Sequence, residues 1–248
     1  MDFLDTSLDV NLIDSLWIGL IVGLASFVHS LTGFGFALVA VSLLPFFMDL
    51  QTAVTLVLIV NLIGNIALWW HYRDSFEWSR IIHLSTAGLL TIPIGVLGLH
   101  YIPEHLALQI LGALVLIYVG YSTLQLSPPD LQGRRWAYTF GAASGVLAGA
   151  FNTGGPPLVI YGNCNEWSPE QFKSHLPGMF SVMSMAAIAS HVWQGHLDKM
   201  LLTQVGYATP FFVMGLGLGL WMSNYINAVQ FRQVVILLLG VIGLKLLF

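Results

Sequence analysis

Apolar runs long enough to cross a lipid bilayer follow one another along almost the whole chain, and this constrains the fold more than any single motif. Charged and turn residues bound eight of them, roughly Ser15–Phe47, Gln51–His71, Ile81–His100, His105–Leu126, Trp136–Gly162, His175–Trp193, Met200–Ser223 and Gln230–Phe248. Each is near or above the ~20 residues that a helix needs to span the hydrocarbon core. The longest polar connections are Tyr72–Arg80, Ser127–Arg135 and Asn163–Ser174, which leaves no second soluble domain and predicts one transmembrane domain over residues 1–248. The expected fold class is an all-α polytopic membrane protein. Only 8% of the residues are charged and 56% are hydrophobic, with a mean hydropathy of +0.80. A soluble domain carries about 25% charged residues, so this chain would have little surface to offer water. The bilayer is its expected solvent.

Several function classes fall away on composition. The single cysteine, Cys164, excludes an intramolecular disulfide and the common thiolate metal sites. No basic patch or Arg/Lys-rich arm exists, so nucleic acid is not an expected partner. No histidine pair shows helical ligand spacing with an adjacent carboxylate, and neither a metal nor a cofactor is expected. The acidic N-terminus, MDFLDTSLDVNLID, lacks the basic stretch of a secretory signal and reads as part of the mature protein.

Two of the apolar segments are interrupted. Asn152-Thr153-Gly154-Gly155-Pro156-Pro157 lies between GVLAGAF and LVIY, where glycines admit unusual dihedrals and prolines withhold N–H groups, so a helix must stop there. About half a chain earlier Ser30-Leu31-Thr32-Gly33-Phe34-Gly35-Phe36 repeats the device. Paired breaks in corresponding segments are a sequence pointer to a transporter's binding site. The surrounding sequence is consistent with duplication. Thr32-Gly33 aligns with Thr153-Gly154 once one residue is skipped, Leu108 to Gly120 lies over Phe231 to Gly243, and Pro93 with Gly95 and Gly98 answers Pro210 with Gly215, Gly217 and Gly219. The expected organisation is two four-segment repeats, about residues 15–126 and 136–248, the first segment of each being broken or re-entrant.

If the broken segments dip in and return, each half crosses three times and the repeats are inverted. Arg73, Arg80, Arg134, Arg135, Lys173 and Arg232 then face the cytoplasm, with Lys199 and Lys245 outside. Eight full crossings with both ends inside would also satisfy the charge rule. The re-entrant arrangement is preferred because the acidic N-terminus suits an outside location.

The motifs TGFGFALVAVSLLPFF and NTGGPPLVIYG, at the starts of the two halves, resemble those of the TauE/SafE family of membrane transporters. The resemblance extends over nearly the whole chain in length, segment count and duplication, and GGPP at Gly154 to Pro157 is its most specific part. Family members often show a third glycine and a proline in the first motif, where this chain has Phe34, Phe36 and Ser42. That departure bears on the substrate, because aromatic rings can narrow or line a pocket. The resemblance implies a carrier for sulfur-containing anions such as sulfite or organosulfonates, in the export direction, and a bacterial inner (plasma) membrane as its setting.

The residues allow such a cargo. No Arg or Lys stands clearly at mid-depth, but a half-helix starting after each break would aim free N–H groups and a positive dipole end at a bound anion. Gly33, Phe34, Gly35, Gly154, Gly155 and Pro156 shape these turns, while Ser30, Thr32, Asn152 and Thr153 add donors for an anion with three acceptor oxygens. Asn61 and Asn65, four apart on one helix face, are further candidates, as are Ser181 and Ser184. His29, just before the first break, is the candidate for proton coupling. The other histidines lie near segment ends, where solvent or headgroups explain them. Pro93, Pro177 and Pro210 read as kinks, and the tryptophans as interfacial anchors.

The expected function is thus a secondary transporter for a small anion, working by alternating access around two discontinuous helices, and not an enzyme. A proton-coupled importer or a channel would use the same residues. An intramembrane enzyme lacks a nucleophile-base pair, and an assembly protein would use the small-residue runs for packing alone. The run Gly215-x-Gly217-x-Gly219 suits a homodimer or an internal contact.

Overall fold

The computed structural model describes residues 12–124, 131, 133–193, 199–223, 225 and 228–248, and their side chains apart from those of Leu12, Ile13, His191, Lys199, Ala228, Val229, Gln230 and Arg232. The expectations on the acidic N-terminus, on His191 and His196, and on the Lys199 and Arg232 charges lie outside this part. The described residues form α1 (Leu12–Thr32), α2 (Phe36–Leu43), α3 (Leu50–His71), α4 (Trp78–Tyr101), α5 (Glu104–Leu124), α6 (Arg134–Phe151), α7 (Gly155–Cys164), α8 (Pro169–Trp193), α9 (Lys199–Met222) and α10 (Ala228–Leu247), and no strand. Five of these, α1, α3, α4, α5 and α9, are long and apolar enough to cross a membrane. The sequence had offered eight such segments. The fifth is cut by its break into α6 and α7, α8 opens on the polar run Glu170-Gln171-Phe172-Lys173-Ser174-His175, and the last segment forms the 20-residue α10.

Glycine decides how the helices pair. A Cβ at Gly141, Gly145 or Gly149 on α6 would run into the backbone carbonyl of Leu84, Gly88 or Ile92 on α4, so these helices touch backbone to backbone and run parallel. The same device joins α1 to α9, where a Cβ at Gly215 would strike the Gly23 carbonyl and one at Gly219 the Ser30 side chain. Close approach of small residues suits a bilayer, where lipid tails are as apolar as leucine and packing must supply the attraction. A hydroxyl bridges each seam: Thr91 donates to the Ala142 carbonyl and Ser26 to the Phe212 carbonyl, both at 2.9 Å. Gly215 and Gly219 are therefore covered within the protomer, while Gly217 has nothing within 4 Å. Around these seams α3 packs on α8, and α5 runs antiparallel to α10, with Gly112 against Gly243 and Gln109 bonded to the Leu247 carbonyl at 3.4 Å.

The bundle has two distinguishable ends. Trp17 stacks on Phe47 at 6.2 Å, Lys245 lies 4.1 Å over the Phe46 ring, and the Leu50 N–H donates to Glu104 at 2.7 Å. The opposite end gathers Trp69, Phe76, Trp78, Trp167 and His175. Between them runs α3, capped by Asp49, whose carboxylate accepts from the Thr52 N–H at 2.9 Å; its 22 residues cover about 33 Å. Because Trp17 precedes the first break and Phe47 follows it, α1 and α2 form a hairpin that returns toward the Trp17 end. The second break also folds back, since the Gly154 carbonyl accepts from the Ser144 hydroxyl, two turns up α6, at 2.8 Å. Outward faces of the long helices carry exposed apolar side chains, among them Leu90, Ile94, Ile117, Met214, Leu237 and Val241, a surface suited to lipid rather than water.

Candidate functional site

The first break is built on two left-handed glycines. Gly33 has φ +79° and Gly35 φ +98°, a region that costs other L residues roughly 1–2 kcal/mol. They bracket Phe34, whose ring stands edge-on to Tyr118 of α5 at 6.1 Å. The Thr32 hydroxyl donates to the Val28 carbonyl at 2.9 Å and lies against the Phe34 carbonyl, closing α1. At the second break Asn152 is left-handed, with φ 53° and ψ 21°, and caps α6 through its own N–H to the Ala148 carbonyl at 2.9 Å. Asparagine tolerates this conformation better than most residues. A Cβ at Gly154 would stand 2.6 Å from Ser144 Oγ, and Pro156 and Pro157 then occupy first-turn positions of α7 where no N–H is needed.

The two breaks meet. A Cβ at Gly155 would lie 3.6 Å from the Phe34 ring and 3.9 Å from Phe180 of α8. Between them is a narrow cavity of ≈ 20 Å³, room for about one water. Its wall takes Phe34, Gly35, Phe36, Ala37 and Leu38 from the first break and α2, Asn152, Thr153 and Gly155 from the second, His29 from α1, Asn61 from α3 and Phe180 from α8. Of the residues singled out in the sequence, this unites Phe34, Gly35, Asn152, Thr153, Gly155, Asn61 and His29. Asn65 is fully buried behind them, facing His29.

Several polar atoms in and behind this wall lack partners. Both His29 ring nitrogens, both Asn65 amide atoms, Asn61 Oδ1 and Asn152 Nδ2 are buried without a hydrogen bond; His29 faces Asn65 and the Phe34 backbone with normal bonding geometry to neither. A buried unsatisfied group costs about 1–3 kcal/mol, so water or a ligand there is strongly favoured. The helix ends contribute unequally. The first helical bond of α2 runs from the Val39 N–H to the Gly35 carbonyl at 3.0 Å, leaving the N–H groups of Phe36, Ala37 and Leu38, all in the cavity wall, outside its ladder. In α7 two of the first three residues are prolines, so only Gly155 offers a free N–H there.

Other candidates stand elsewhere. Ser30 bonds to the Phe27 carbonyl at 2.9 Å and faces Gly219 across the α1–α9 seam. Thr32 and Gly154 hold the turns together, and Pro156 is half-buried in α7. Ser181 donates to the Pro177 carbonyl at 2.8 Å within α8. His175, expected near solvent, is fully buried: its Nδ1 lies 2.7 Å from the Gln171 carbonyl, and Phe76 and Trp167 cover its ring because residues 72–77 fold over the start of α8. Gln171 fastens that loop by donating to Glu77 at 3.0 Å, and Arg80, bonded to Glu77 at 2.9 Å, holds its carboxyl below the usual carboxylate range. Two neighbours of the breaks carry no local sequence signal, Phe180 and Lys173. The latter packs its backbone and Cγ on Gly33, where a Cβ would come within 3.2 and 3.1 Å.

Comparison with known proteins gives the family. The family model described as "Sulfite exporter TauE/SafE" matches residues 18–246. The chain is 27% identical over 206 residues to the "Probable sulfite/organosulfonate exporter TauE" of Cupriavidus necator, covering 80% of each. No solved structure matches. A multi-pass helical protein in which two broken helices meet at one polar cavity, matched over residues 18–246 by this family's model, is a member of the sulfite exporter TauE/SafE family.

Proposed function

We propose that the protein is a secondary carrier that exports a small sulfur oxyanion or organosulfonate by alternating access around its two helix breaks. The observation that carries this reading is the convergence of the breaks on one cavity whose buried polar groups have no protein partners. An anion with three acceptor oxygens can take the α2 N–H groups, the Thr153 hydroxyl and the Asn152 amide, and a rotated Asn61 amide adds another donor. This coordination is neutral and so permits release. Room for about one water is too small for such an anion, so loading requires the Phe34 and Phe180 walls to separate; the present conformation is a contracted one. An interior-negative potential favours exit, each charge being worth about 2.3 kcal/mol per 100 mV.

The halves α1–α5 and α6–α10 are, on this reading, inverted repeats. In support, the pairing of α1 with α9 becomes that of α6 with α4 when the halves are exchanged, and α3–α8 and α5–α10 map onto themselves. From the Trp17 end α1 runs toward the Trp69 end, whereas α6, parallel to α4, runs the other way. Each hairpin followed by three crossings leaves Arg73, Arg80, Arg134, Arg135, Lys173 and Arg232 at the Trp69 end, which the positive-inside rule makes cytoplasmic, in an inner membrane. Protein reconstituted into liposomes is expected to exchange labelled sulfite or a short alkylsulfonate for unlabelled anion. Asn152→Gly, which keeps the left-handed backbone and removes the amide, should slow that exchange about tenfold or more, the loss of one hydrogen bond to a charged group, at an unchanged yield of folded protein. Equal loss of exchange and of folded protein makes Asn152 structural, and a wild type that exchanges no sulfur anion removes the reading.

A further inference from the structure

The geometry points to Lys173 as the residue that captures the anion on its way to the cavity, an inference that rests on the carrier reading above. Lys173 stands in the second turn of α8, and Phe180, in the cavity wall, lies seven residues further along. Seven residues are about two turns and roughly 10 Å, so both side chains lie on one face of α8. Each meets a different break: Lys173 presses on Gly33, and Phe180 lies beside Gly155. The lysine thus stands at the Trp69 end of the line that the first break follows to the cavity.

No ion pair holds its charge. Among the described residues the ion pairs are Arg73 with Asp74 and Arg80 with Glu77, and neither involves Lys173. The carboxylate one turn earlier, Glu170, is held below the usual carboxylate range by its own backbone N–H and by the Ser168 hydroxyl at 3.0 Å, and to a smaller extent by the charge of Lys173, with which it makes no ion pair. Lys173 Nζ rests 5.3 Å from the centre of the Tyr72 ring. An aromatic face attracts an ammonium without neutralising it, so the head group is parked, still charged, on a flexible stem whose base is fixed against the break. Arg73 is occupied similarly over Trp70 at 4.6 Å, but on an exposed loop and paired with Asp74. A half-buried cation beside a cavity with no cation of its own draws an oxyanion from the aqueous end, and the neutral donors beyond it complete the site. Movement of Lys173 off Tyr72 toward Gly33 would deliver the anion to Phe34, the last side chain before the cavity.

The test measures exchange in liposomes as a function of anion and salt concentration for wild type, Lys173→Gln and Lys173→Arg. Capture by charge predicts that Lys173→Gln raises the half-saturating sulfite concentration about tenfold on the Trp69 side, leaves the maximal rate within about twofold, and flattens the salt dependence. Lys173→Arg should restore both. Wild-type values of half-saturation and salt dependence in Lys173→Gln overturn the inference while leaving the carrier reading intact. A fall in maximal rate alone, not restored by arginine, also overturns it and makes the lysine a packing residue against Gly33. A wild type with no exchange fails at the earlier step and takes this inference with it.

Discussion

Glycines at the two breaks serve different ends, and substitution separates them. At Gly35 a Cβ has room, 3.6 Å from Val28, so Gly35→Ala costs only the backbone strain of φ +98°, about 1–2 kcal/mol, read as a lower Tm in detergent. Gly155 has no such strain, and its Cβ would enter the cavity beside Phe34. Gly155→Ala is therefore expected to keep the wild-type Tm but to lower exchange and weaken anion-induced stabilisation; full activity in this variant would mean that the cavity is not the anion site. His29 poses a related question, being a titratable group in the wall without a protein partner. If proton coupling runs through it, His29→Gln keeps hydrogen bonding while flattening the pH dependence of exchange. An unaltered pH profile assigns His29 a packing role. The sequence exposed most of these residues through their unusual chemistry, glycine and proline where a helix should continue and amides where lipid should be. It could not say that Ser30 turns away to Gly219 while Asn61, on a different helix, turns in, because both are polar and the choice is made by rotation about a helix axis.

Between elements, the seams matter more than any single side chain. Both parallel pairs close over glycines spaced four apart, Gly141, Gly145 and Gly149 in one and Gly215 and Gly219 in the other, so the helices meet along a stripe rather than at a point. Gly145→Ala would force a Cβ into the Gly88 carbonyl and is expected to destabilise by about 1–3 kcal/mol, with poor recovery of folded protein. Gly98→Ala, on the same α4 but with nothing within 4 Å, should leave Tm unchanged or raised. Comparable losses in both variants would contradict the seam. If the carrier works by moving one bundle against another, these seams are the parts expected to move as units, and the α3–α8 contact, bearing Asn61 and Phe180 on its two sides, is where displacement would open the cavity.

For the molecule as a whole, orientation is the accessible test. In a Cys164→Ser background, single cysteines at Asp74 and at His105 lie at opposite ends of the bundle, the first in the loop after α3 and the second in the first turn of α5. A membrane-impermeant maleimide added outside intact cells is expected to label His105→Cys and spare Asp74→Cys. The reverse pattern would invert the assignment of the Trp69 end, and labelling of both would mean that α4 does not cross. If the halves are inverted as proposed, a carrier built from two oppositely oriented halves can exchange their conformations, presenting the same cavity to either side.

The sequence by itself determined the class of molecule and the location of its breaks. Hydrophobic runs too long and too free of charge for water permit few folds, and glycine or proline inside such a run ends a helix whatever surrounds it. Both are local properties, one of solvation and one of backbone geometry. Only the tertiary structure decided that breaks some 120 residues apart share a cavity, that Lys173 and Phe180 stand beside them, and that His175 is buried. Those facts depend on which helices touch and at what rotation, and in lipid that is set by the complementary packing of small residues across distant segments, which no local window contains.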